Sequence, residues 1–409
     1  MKDKGFRLSL QSICQPNRAS LTVVLASTVG VGACAPPEAV EEWFRPDSPH
    51  AAYAHGLEQA GLAESALGRA WQAAADSVLE EPASVPLPYR EEGLLPPAAP
   101  GAVGFQVELK RGERLTVEVS LEDALPRTAV FVDLFRVHPE EDRGAFRVQS
   151  DTSSSGVLSY TVRRPGPYRI RIQPELLRGG RYQVTLQSLP SLVFPVEGRG
   201  ASAILSFFGA QRDAGRRQHH GVDIFAPRGT PVLAATAGTV SRVREAPLGG
   251  KVVWVRDPEA NESHYYAHLD NQLVEEGSWV EPGDTIGLVG NTGNARTTPP
   301  HLHFGIYARG MGPVDPLPYL DERQPALPSL RTSENSLRTV RVVASGGGIL
   351  RSTPSTRGPV LVEVAPGTPV HVEAGLGDWY RVRLETGEKG FLFARRTQEM
   401  EMAPGSAGG

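Results

Sequence analysis

Cysteine is almost missing from this 409-residue chain. The two present, Cys14 and Cys34, precede every patterned segment, so neither a core disulfide nor a thiolate metal site can serve the folded part. An excess of one charge is missing as well: 42 lysines and arginines stand against 46 aspartates and glutamates, a formal net charge of −4. That balance lacks the basic footprint which phosphate neutralisation requires, and no nucleic-acid partner is expected. The uncharged stretch from Leu21 to Val31 falls short of the roughly 20 apolar residues of a membrane span. Helical periodicity is scarce and confined to one segment, and no serine or cysteine triad competes as a catalytic pattern.

What is abundant is glycine (44) and proline (35), placed at strand ends and between blocks. Short strands with irregular connections are therefore expected, and the length predicts two to four domains in a mostly β chain. The N-terminus reads as an export signal: Lys2, Lys4, Arg7 and Arg18 lead into the apolar run, which ends at Val31-Gly32-Ala33-Cys34. That ending resembles a bacterial lipobox. The resemblance implies removal of residues 1–33, acylation of Cys34, membrane attachment through the lipid and, with Ala35 following, a place on the periplasmic face of an outer membrane.

Five further blocks follow. Residues 34–100 combine one or two amphipathic helices, with apolar positions such as Leu57, Leu67, Trp71, Ala74 and Val78 at three- and four-residue steps, and a proline-rich linker from Pro82 to Pro100. Residues 101–190 alternate with period two, as in Phe105-Val107-Leu109 and Leu115-Val117-Val119, and predict an accessory antiparallel β-sandwich. Residues 191–322 hold nearly all the unusual residues. A linker at 323–336 leads to short strands at 337–398, where Gly377-Asp378-Trp379-Tyr380 and Gly390-Phe391-Leu392 resemble a bacterial SH3-like barrel.

Six of the ten histidines fall between His219 and His303. Neutral imidazoles with a carboxylate suit Zn²⁺, and three protein ligands plus water make a catalytic rather than a closed structural site. In His301-Leu302-His303-Phe304 a strand projects both imidazoles from one face. The same rule predicts that Tyr266 and His268 share a face. His264 is expected at a loop edge and His220 is expected to point away from its neighbour. Arg212, Arg216, Arg217 and Arg296 either attract an anionic polymer or are merely solvated.

Three elements in order, His219-His220-Gly221-Val222-Asp223, Tyr266-Ala267-His268-Leu269 and His301-Leu302-His303, resemble the lysostaphin and LytM type of M23 zinc metallopeptidases. The resemblance implies an antiparallel sheet with a groove across its metal face. It also implies His219, Asp223 and His303 as zinc ligands, and His301 and His268 as catalytic residues beside the water and the scissile carbonyl. By the same resemblance the substrate is a peptidoglycan peptide, with D-alanyl-diaminopimelate cross-links as the expected bond. The alternative is a wall-binding or amidase-activating regulatory lipoprotein with little turnover, working with a protein regulator.

Overall fold

The structure, a computed structural model, describes residues 48–399 apart from 123–124, 126, 139, 141–143, 213, 324, 331–336 and 338. The expected leader and Cys34 lie outside the described residues. Strands dominate, as composition and period-two patterning require, with two helices at the start.

Pro49–Gln59 and Ala66–Glu80 are both capped by a serine: Ser48 Oγ accepts from Ala51 N–H and Ser65 Oγ from Gly68 N–H. Trp71 is the residue that docks them. It is almost fully buried, stacks on His50 with ring centroids 4.6 Å apart, and donates its indole N–H to the Pro174 carbonyl at 2.9 Å. Phe131 meets this cluster from the strand Val130–Val137, while its neighbours Val130, Val132 and Leu134 point the other way into the sandwich core. One sheet of the sandwich is thus covered on both faces, by helices outside and by the second sheet inside.

The second sheet extends further than the patterning suggested. Tyr89–Leu95, inside the segment expected to be a linker, is a strand; it pairs along its whole length with Gly180–Pro190. On its other edge Glu92 and Gly93 pair with Gly375 and Ala374, so the C-terminal barrel continues the sandwich's own sheet. The strand was invisible to hydrophobic periodicity because its most buried polar residue is a glutamate. Glu91, fully buried, accepts from Arg381 through Nε and Nη2, both at 2.9 Å, and from the hydroxyls of Tyr89 (2.5 Å) and Tyr182 (2.8 Å).

Between these parts in sequence lies a separate sheet. Its order runs Ile204–Ser206, Val222–Phe225, His301–Ala308, Glu262–Leu269, Gly250–Asp257, Gly238–Ala246, Trp279–Val280, all antiparallel. One face buries Val222, Ile224, Val253, Val255, Tyr266, Phe304 and Ile306 in a core of its own. The opposite face is open. The sandwich grips the far end of this sheet, where Arg111 Nη2 meets the buried Glu262 carboxylate at 2.6 Å and Tyr319 donates its hydroxyl to the same oxygen at 2.9 Å. At about 3.3 Å per residue this anchor lies some 20 Å along the strand from His268.

Candidate metal centre

Strand register brings the first two groups together. Asp223 pairs directly with His303 across Val222–Phe225 and His301–Ala308, so their side chains leave the open face side by side. His219 comes from outside the sheet. Its N–H donates to Ala210 O and its carbonyl accepts from Gly209 N–H, each at 2.8 Å, which folds it back over the strand. His219 Nε2 then lies 2.9 Å from Asp223 Oδ1 and 2.9 Å from His303 Nδ1, and His303 Nδ1 lies 3.0 Å from Asp223 Oδ1.

The donor chemistry of this triangle fits a small divalent ion. His219 Nδ1 sits 2.9 Å from the Phe207 carbonyl; a carbonyl only accepts, so Nδ1 carries the proton and Nε2 offers a lone pair to the triangle. Asp223 turns Oδ1 inward, while Oδ2 accepts from Arg212 Nη2 at 2.7 Å. Burial opposes the charge on Asp223, but its close polar contacts with the His219 and His303 rings outweigh it and hold its carboxyl far below the usual carboxylate range. Three donors around zinc at 2.0–2.1 Å would stand about 3.3 Å apart, so an outward shift of a few tenths of an ångström accommodates the ion.

Gly221 explains the glycine between the first histidine and the aspartate. A Cβ there would strike the Phe304 carbonyl and stand 2.9 Å from both Cε1 and Nε2 of the His303 ring. Gly221→Ala is accordingly expected to displace that ring and weaken metal binding about 10- to 100-fold, as loss of an orienting contact does. Competition against a chelator of known affinity measures this; unchanged affinity would deny that the ring position matters.

His301 and His268 stand beside the triangle without joining it. The Nδ1–H of each donates to a backbone carbonyl, Pro299 O and Thr292 O respectively, both at 2.9 Å, which leaves each Nε2 as the free nitrogen. Their rings meet edge-on at 5.1 Å, and His301 also stacks on Phe225 at 5.0 Å. Burial first, then the neighbouring imidazoles His303 and His301, pushes His268 down to about 4, so it is neutral at physiological pH. All five residues line one cleft of about 330 Å³, with Tyr265, Leu248, Asn294 and Thr298 on its walls.

Two expectations need correction. Tyr266 and His268 do not share a face: Tyr266 is fully buried in the core, its hydroxyl accepting from Ala235 N–H at 2.9 Å, whereas His268 lines the cleft. Strict alternation fails because His268 adopts a left-handed conformation, φ +63°, beside a register shift at Lys251/Val253. His264 is not at a loop edge either. It is buried mid-strand against Phe304, and among the described residues neither ring nitrogen makes a hydrogen bond. His220 is exposed. Arg212, read as one of several basic residues, instead bridges Asp223 and Ser206. The carbonyls of Phe207, Thr292 and Pro299 carry no side-chain signature and had no means of being read from the sequence.

Residues 217–316, which hold the triangle and the cleft, match peptidase family M23. The chain carries an M23 peptidase domain. Residues 346–398 match the bacterial SH3 domain. The M23 region is similar to the L-Ala–D-Glu endopeptidase of Bacillus subtilis, 38% identical over 138 residues, covering 31% of this chain and 42% of that protein. It is similar also to the peptidoglycan DD-endopeptidase ShyC of Vibrio cholerae, 38% identical over 95 residues, covering 23% and 21% respectively. Among solved structures, the catalytic domain of lysostaphin from Staphylococcus simulans is 30% identical over 28% of this chain and 87% of its own, with a TM-score of 0.26. The chain thus spans less than half the length of these two curated relatives. Its sandwich and helices lie outside the match to the M23 domain.

Proposed function

We propose that this chain is a zinc-dependent endopeptidase that hydrolyses peptide cross-links of bacterial peptidoglycan, with His219, Asp223 and His303 as the metal ligands. The observation that carries the reading is the convergence of two imidazole nitrogens and one carboxylate oxygen within 3.0 Å of one another, beside two further imidazoles whose free nitrogens enter the same cleft. A zinc ion held there supplies Lewis acidity, lowering the pKa of a water and polarising the amide carbonyl.

The chain's own groups divide the remaining work. His301 Nε2 is the proton acceptor: its Nδ1–H is committed to Pro299, so the lone pair is the only function it presents to the cleft. His268, held neutral by burial, likewise presents a lone pair; it orients the attacking water by accepting a hydrogen bond, and stabilises a developing negative oxygen only after taking up a proton. Arg212 keeps Asp223 oriented with one oxygen inward. The printed name of the ShyC relative supports peptidoglycan as the substrate, and D-alanyl-diaminopimelate cross-links are the bond we assign. Acylation at Cys34 would tether the enzyme at the periplasmic face of the outer membrane, next to its polymer.

Incubating the chain with purified peptidoglycan decides the matter. Un-cross-linked peptides are expected to appear, to stop on chelation and to return on adding zinc. A zinc-loaded protein that binds the wall and releases nothing would replace this reading by that of a regulatory wall binder.

A further inference from the structure

The open face of the catalytic sheet continues well beyond the metal triangle. Antiparallel partners share a face, so the register defines successive rows. The first row is Asp223, His303 and Ala267; the second is Gly305, Tyr265, Trp254 and Arg242; the third is Tyr307, Ser263, Arg256 and Thr239. Rows are spaced by two residues, roughly 7 Å, so the third lies about 14 Å from the metal row.

The second and third rows have a distinct chemistry. Trp254 packs on Tyr265 at 4.5 Å and on Tyr307 at 5.1 Å, all three half-buried, which makes a rigid apolar floor. Arginines surround that floor. Arg242 and Arg256 lie in the rows, Arg244 follows Arg242 by two residues on the same face of its strand, and Arg309 borders a hollow of about 440 Å³ with Arg256, Tyr307, Asn261 and Glu262, whose carboxylate is already engaged by Arg111 and Tyr319. All four arginines are exposed, and among the described residues none of their guanidiniums has an ion pair or hydrogen bond. The one carboxylate in the three rows is Asp223, already engaged. Gly305 keeps the path clear: a Cβ would stand 2.9 Å from the His220 carbonyl and 3.3 Å from the Tyr307 ring, between the metal row and the aromatic floor.

We propose that this face is a binding site for an acidic peptide, the stem flanking the scissile bond, whose carboxylates pair with Arg242, Arg244, Arg256 and Arg309 above the floor of Trp254, Tyr265 and Tyr307. The site rests on the endopeptidase reading above. Charge complementarity selects the occupant, because unpaired guanidiniums over an apolar surface recognise carboxylates bidentately while the aromatic floor takes the aliphatic parts of the chain. An extended peptide covers about 3.3–3.6 Å per residue, so the two rows accommodate some two to four residues on one side of the cleaved bond.

The test titrates the metal-loaded full chain calorimetrically with an un-cross-linked muropeptide and with the same compound amidated at its carboxylates. The free acid is expected to bind about tenfold more tightly, with the preference shrinking as ionic strength rises from about 0.05 to about 0.5 M. Arg242→Gln/Arg256→Gln is expected to abolish the preference while metal content stays unchanged. Equal affinity for acid and amide in the native chain, or a peptide-free glycan binding as tightly as the muropeptide, would overturn the proposal. Acid preference without cleavage of cross-linked substrate leaves this site standing and removes the endopeptidase reading; cleavage without acid preference removes this site alone.

Discussion

His303→Ala is expected to lose the bound metal and more than about a thousandfold of kcat/KM, whereas His301→Ala is expected to keep the metal and lose activity by about 10²- to 10⁴-fold. The two residues are neighbours but one apart on the same strand, so fold disruption would affect both alike; the contrast between them comes from what each nitrogen faces. His303 Nδ1 lies within 3.0 Å of both other members of the triangle, and without it the site has two donors, too few to retain zinc against water. The His301 ring stacks on Phe225 and donates to Pro299, contacts that hold it beside the triangle while touching none of its atoms. Metal analysis after dialysis, together with turnover of a cross-linked muropeptide, reads both quantities. Equal metal loss in the two variants would dissolve the separation of ligand from base.

How far this site was legible depended on whether its signal lay in side-chain identity or in three-dimensional contact. The resemblance of three ordered motifs to the M23 family singled out the five cleft residues, and a strand's alternation adds only which way His301 and His303 face. The same alternation misplaced Tyr266 with His268, since a single left-handed residue reverses the direction of the side chain, and nothing in Tyr-Ala-His-Leu announces φ +63°. Pairing of Asp223 with His303 across 80 residues is a non-local fact that only the sheet supplies. The strand Tyr89–Leu95 failed for another reason: Glu91 is buried with a distant arginine as its partner, so a position that reads as solvated in one dimension is the centre of a packed junction in three.

That junction yields the second large effect. Arg381→Ala is expected to destabilise the joined sandwich and barrel by about 3–5 kcal/mol, because it strands the fully buried Glu91 carboxylate without its counter-charge. Arg381 also bonds Glu373 at 2.7 Å, but Glu373 is partly exposed and water can replace that partner, so the penalty belongs to Glu91. Glu91→Gln/Arg381→Met is expected to recover a good part of the loss: the amide oxygen still accepts from a tyrosine hydroxyl, and no unpaired charge stays behind. Calorimetric or denaturant unfolding of the full chain measures both variants. Turnover of a small soluble cross-linked peptide should stay within about twofold in either, since the metal triangle sits on a sheet with its own core, gripped by the sandwich at Arg111 and Glu262 rather than at this junction. An Arg381→Ala chain that unfolds as the native one does would mean that the two-residue pairing at Glu92 and Gly93 holds barrel to sandwich unaided.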